Sequence, residues 1–197
     1  MRNLIFAAIL ISFQACQTPT EPSADTKTTN WGGYELENVE GTDYKIALKK
    51  GDGGEILERG IVRNFMRNGA WMTYHQGEDA GKIKTLVTYM DDQYNGVYLE
   101  ISDRGQLKLE ATYANNKLNG RWAKYHAGWL KEEANYKNGQ LDGVYKAYYD
   151  GSKQLLKEAE YRNGVQEGFY KQYGEDGKLL LEYVFKGGQK IDGGMTQ

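Results

Sequence analysis

Cysteine is almost missing from this 197-residue chain; Cys16 is the only one. That excludes a disulfide framework and a cysteine-rich zinc site. Two histidines leave little for a histidine-based metal centre. Proline occurs at Pro19 and Pro22 and nowhere from Trp31 to Gln197. Strands over that stretch would therefore lose no backbone donor to proline. An excess of one charge is lacking too, with 25 Lys and Arg against 27 Asp and Glu and a net charge of −2. Nucleic-acid binding by bulk electrostatics needs a basic excess, so that class is excluded. No run after Asn30 is long and apolar enough to cross a bilayer.

What is present is skewed. There are 16 Tyr against 5 Phe and 4 Trp, together with 25 Gly. Tyrosine carries a large ring with one polar end, which suits a half-wet sheet surface better than a deep core.

The first residues read as an address. Met1-Arg2-Asn3 is basic, and Leu4 to Phe13 (LIFAAILISF) is an apolar run, too short for the roughly 20 residues that span a membrane. This is the pattern of an export signal. Phe13-Gln14-Ala15-Cys16 follows it and resembles the lipobox of bacterial lipoproteins. That resemblance implies a cysteine lipidated on sulfur and exposed as the new N-terminus. The expectation is a signal over residues 1–15, lipid attachment at Cys16, and a membrane as first partner. The mature protein would be exported and anchored in the cell envelope, on the outer membrane where there are two. Residues 16–30 are polar and hold both prolines, so they read as a flexible tether.

From there the chain repeats itself. Gly69, Gly96, Gly120, Gly143 and Gly168 recur at intervals of 23 to 27 residues, and Gly193 begins a sixth copy. Two positions after each of the first five stands an aromatic: Trp71, Tyr98, Trp122, Tyr145, Tyr170. Five positions after come Tyr74, Ile101, Tyr125, Tyr148 and Tyr173. Tyr89, Tyr113, Tyr136, Tyr161 and Phe185 close the copies ahead of the next glycine. A second glycine splits each copy, at Gly81, Gly105, Gly128, Gly151 and Gly177, and length varies mostly beside it. Variable length marks a loop tip.

Before the closing aromatic, apolar residues alternate: Ile83, Thr85, Val87, Tyr89; Leu107, Leu109, Ala111, Tyr113; Leu179, Leu181, Tyr183, Phe185. Period two predicts a strand with one covered face. Asn-Gly and Asp-Gly pairs begin, split and close the copies, and they predict tight hairpin turns. The fold class expected is all-β: tandem β-hairpin repeats forming an elongated twisted antiparallel sheet, an open solenoid. Residues 64–197 hold five copies and a partial sixth, and residues 31–63 a degenerate copy with an N-terminal cap.

LDGVYKAYYDGSKQLLKEAEYRNG (Leu141–Gly164), LNGRWAKYHAGWLKEEANYKNG (Leu118–Gly139) and QEGFYKQYGEDGKLLLEYVFKGG (Gln166–Gly188) resemble the variant MORN repeat. The resemblance runs from Asn64 to Gly193. It implies stacked hairpins, a scaffold or adaptor role, and a likeness to the YwqK-type antitoxin family. It implies no catalytic residue, and the chain is read as no enzyme and as carrying no cofactor.

Few residues suggest chemistry. His75 and His126 occupy the same place two copies apart, about 20 Å at strand spacing, too far to share a metal. Lys108, Glu110, Lys131, Glu133, Glu158 and Glu160 are expected on the wet face, as a surface for a protein partner. The alternative is a cell-wall or glycan-binding lipoprotein that uses the aromatic columns as stacking platforms.

Overall fold

A computed structural model describes residues 29–196. The export signal, Cys16 and nearly all of the tether lie outside these residues. The chain forms β1 (Thr29–Trp31), β2 (Tyr34–Asn38), β3 (Tyr44–Lys50), β4 (Ile56–Arg63), β5 (Met66–Tyr74), β6 (Ile83–Met90), β7 (Gln93–Ile101) and β8 (Leu107–Ala114). It continues with β9 (Lys117–His126), β10 (Trp129–Lys137), the short β11 (Gln140–Leu141), β12 (Gly143–Tyr148), β13 (Leu155–Arg162), β14 (Val165–Tyr173), β15 (Leu179–Lys186) and β16 (Gln189–Met195). Among the described residues a single 3-10 turn, Gly77–Asp79, interrupts them. All strands join one antiparallel sheet in strict chain order, with β1 and β16 at its two edges and β11 paired to β10 alone. The all-β, tandem-hairpin architecture is the one expected. β1 to β4 continue the sheet without a break, so the cap is part of the same layer.

Eight hairpin turns have two residues at positive φ: Gly32-Gly33, Asn64-Phe65, Asp91-Asp92, Asn115-Asn116, Ala127-Gly128, Asn138-Gly139, Asn163-Gly164 and Gly187-Gly188. That is the type I′ geometry whose twist matches the flanking strands. The pairs expected to open each copy with a turn do something else. Asn68-Gly69, Asn95-Gly96 and Asn119-Gly120 lie inside β5, β7 and β9. There the register slips: Val87 faces Tyr98 and Tyr89 faces Tyr94, so β7 spends two extra residues around Gly96. The same slip occurs at Gly120 and Gly168. These glycines form bulges. They sit at positive φ, 111° at Gly96, which favours glycine for the same reason a turn does. Each also lies across from a closing aromatic: Gly69 from Tyr89, Gly96 from Tyr113, Gly120 from Tyr136, Gly143 from Tyr161, Gly168 from Phe185.

A second correction concerns alternation. Thr73 pairs with Thr85 but Tyr74 pairs with Ile83, which leaves Lys84 as the extra residue of a bulge. Leu107 opposite Ile101 and Leu179 opposite Tyr173 repeat this geometry. The first apolar residue of each such strand therefore crosses to the face opposite its neighbours of equal parity.

Paired residues share a face, and the register defines two. One is aromatic. Across it run Trp71, Val87, Tyr98, Ala111, Trp122 and Ala134, and farther on Tyr145, Ala159, Tyr170 and Tyr183. Ala111, 1 % exposed, lies between Tyr98 and Trp122, and Ala159, 2 % exposed, between Tyr145 and Tyr170. Rings on alternate strands stand about 9.6 Å apart, and alanine is what fits beneath them. The other face is mixed, polar and apolar.

The apolar core of the described residues is Leu36, Ala47, Val62, Trp71, Val87 and Tyr89, with Trp31, Tyr34, Tyr94 and Tyr98 packed on it. It sits where the cap meets the first copy, not in the middle of the array. Trp71 is buried, and its indole lies over Gly60 and donates to the Ile61 carbonyl at 2.9 Å. Trp122, at the equivalent place two copies on, is only half-buried. The reason is geometric. Trp31 and Tyr34 of the cap and Tyr89 of β6 bring rings against Trp71, whereas Trp122 has alanine neighbours in its own row.

Candidate functional site

On the mixed face one row of paired residues crosses most of the sheet. It begins apolar, with Met72, Leu86 and Leu99. It continues as Glu110, Ala123 and Glu133. It ends as Lys146, Glu158, Lys171 and Glu182, alternating in sign. Lys171 and Glu182 stand 3.4 Å apart. Beside the row, Ile61, Val97 and Val184 are exposed on the same face.

A second row, nearer the tips marked by the second glycine, pairs Tyr125 with Leu130, Tyr148 with Leu155 and Tyr173 with Leu179. Each tyrosine reaches back fifteen residues to a carboxylate: Tyr125 to Glu110 at 3.3 Å, Tyr148 to Glu133 at 2.7 Å, Tyr173 to Glu158 at 2.7 Å. Arg121 donates to Glu110 at 2.5 Å and to Glu133 at 3.5 Å. Partial burial, reinforced by the bond to Glu158, pushes the Tyr173 hydroxyl up to about 12. Burial and then Glu133 raise that of Tyr148 in the same way. The carboxylates expected to stand free in water are thus partly engaged by the sheet itself.

Of the six residues expected on one wet face, Glu110, Glu133, Glu158 and Glu160 share the mixed face. Glu160 pairs with Val144, and its carboxylate lies against Gly168. The lysines do not join them. Leu109 pairs with Glu100 and Leu107 with Ile101, so Lys108 is a bulge residue. Its ammonium donates to Glu100 at 2.6 Å, on the aromatic face. Lys131 is the extra residue between Leu130 and Glu132, and it reaches Asp150 at 3.2 Å in the loop after β12. Lysines in register with the carboxylates are Lys146 and Lys171, which sequence reasoning passed over. A signal existed: three places after the first glycine the copies read Met72, Leu99, Ala123, Lys146, Lys171.

The two histidines do not meet. The His75 ring bonds to the Ile101 carbonyl at 3.0 Å, and the His126 ring lies 3.1 Å from an Asp150 oxygen. Tyr149, at the same place in its copy, donates to the Tyr173 carbonyl at 2.8 Å. In these three copies the position links one hairpin tip to the next on the same edge. Among the described residues no group of three or more His, Cys, Asp or Glu is arranged to hold a metal. The mixed face offers ordered charge with exposed apolar residues between, which suits docking more than bond-making. No family model matches the chain, and no curated protein matches it.

Proposed function

We propose that this chain is an exported, lipid-anchored, non-enzymatic repeat protein that docks another protein along its mixed face, in the manner of an antitoxin or immunity protein. The observation that supports this most is the row from Glu133 to Glu182, which repeats every two strands and alternates in charge, with Val184 exposed beside it and Val97 exposed on the same face nearer the cap. Apolar spots within a polar surround are the anatomy of a non-obligate interface, and alternating charge fixes register and partner. Cys16 would hold the domain at the membrane, with residues 16–30 as spacer.

Three experiments test this reading. Photo-crosslinking residues placed in cells at Lys171 or Val97 should capture one protein, and the same residue at Trp122 should not. Deleting Gln140–Gly164 removes one whole 25-residue period and joins Gly139 to Val165, so affinity for that protein should fall in a graded way. All-or-none loss in a still-folded deletion would mean a single discrete site instead. Cys16→Ser should leave the protein unprocessed or soluble. Processing and membrane retention like wild type would overturn the anchor.

A further inference from the structure

Two departures from the repeat converge on one place. The residue after the second glycine is polar in four copies, Lys82, Gln106, Ser152 and Lys178, and Trp129 in the remaining one. Trp129 is 42 % exposed at the tip of the β9–β10 hairpin. The neighbouring copy is the only one with two extra residues between its second glycine and its closing aromatic, and that longer loop carries Lys153 and Gln154. The two tips enclose a groove of about 510 Å³ walled by Tyr125, Trp129, Leu130 and Tyr148, with Ser152 and Lys153 at its rim. A second hollow of about 460 Å³ continues from it toward Tyr173 and shares Ser152 and Lys153.

We propose that this groove binds a linear acidic glycan, with one sugar ring on Trp129 and Tyr148 and a carboxylate of the chain on Lys153. The volume is that of a small-ligand site rather than a flat protein interface. The Tyr125 and Tyr148 hydroxyls are turned away to Glu110 and Glu133, which leaves ring surface for the ligand. Sugars present flat C–H faces to such rings and hydroxyls to groups such as Ser152 and Gln154. Among the described residues Lys153 forms no ion pair, and its exposed ammonium at the edge of the groove is placed to meet an anionic group. The continuation past Lys153 to Tyr173 calls for a chain rather than a single ring. This site adjoins the docking row through the Tyr148–Glu133 bond, but its test on the purified chain stands or falls whether or not a protein partner exists.

Calorimetric titration of the purified chain tests it, with tetragalacturonate, tetramannuronate and a hyaluronan tetrasaccharide as acidic probes and cellotetraose as the neutral one. At least one acidic probe should bind, and more weakly as salt rises. Trp129→Ala should weaken that binding by about tenfold or more, and Trp129→Tyr should restore most of it. Lys153→Gln should remove the preference for acidic over neutral chains. Melting temperatures of the variants should match wild type, since both side chains are exposed. No binding by any acidic probe, or Trp129→Ala binding like wild type, would overturn the proposal. So would an acidic aromatic peptide that binds in the groove when every saccharide fails.

Discussion

From Leu36 to Tyr98 the aromatic face closes over large side chains: Val62, Trp71, Val87 and Tyr89 are buried, and Trp31, Tyr34, Tyr94 and Tyr98 pack around them. From Ala111 onward the buried positions are alanines: Ala111, Ala123, Ala134, Ala147 and Ala159. The mixed face changes at the same place, from Met72, Leu86 and Leu99 to carboxylates tied by tyrosine. β16 is exposed throughout. One backbone plan is therefore stabilised in two ways. The N-terminal half relies on apolar burial, which scales with area removed from water. The C-terminal half relies on rings over small residues and on hydrogen bonds that each contribute only about 0.5–1.5 kcal/mol.

Breaking this contrast should cost most at Trp71. Trp71→Ala is expected to destabilise by about 3–5 kcal/mol, and Trp122→Ala, half-buried, by on the order of 2 kcal/mol. Denaturant melts of the two variants check the order, and equal losses would erase the distinction between the halves. Next comes Gly60→Ala. A methyl there falls on the Trp71 indole and must displace it, at about 1–3 kcal/mol. The double variant with Trp71→Ala should lose less than the sum of the singles.

Smaller effects sharpen the C-terminal half. Tyr148→Phe leaves Glu133 without its 2.7 Å donor and should cost about 0.5–1.5 kcal/mol. Tyr74→Phe, at the same place in the first copy, gives up only a long contact to the Met72 sulfur and should be near neutral. A further effect is alkaline. The folded state holds the Tyr173 proton above its ordinary 10.0, to about 12. Above pH 10 the unfolded chain then binds fewer protons than the folded one, so stability falls as pH rises. That contribution is complete below pH 10 and lost through about 12. Ultraviolet titration of tyrosine beside circular dichroism should show it, and Tyr173→Phe should reduce the slope.

The repeat and its hairpins were legible because glycine and aromatic columns keep their spacing. The bulges were not. A bulge glycine and a turn residue both need positive φ, so Asn95-Gly96 inside a strand and Asn138-Gly139 at a turn carry the same local signal. The unseen bulge then misplaced Lys108, whose parity matched Glu110 but whose side chain faces Glu100. The core at Trp71 was hidden because its partners, Leu36, Ala47 and Gly60, lie in the stretch that lacks the repeat. The tyrosine–carboxylate ties were readable in principle as a constant spacing of fifteen, a column visible only once register is known.

Native-state hydrogen exchange, resolved strand by strand, tests the contrast most directly. Opening free energies are set by the packing each strand loses. Protection should be highest in β4 to β6, around Trp71, and fall through β10 and β13 to its lowest in β16. Uniform protection along the sheet, or a maximum in β12 to β14, would contradict an account in which the two halves of one repeat array are held by different means.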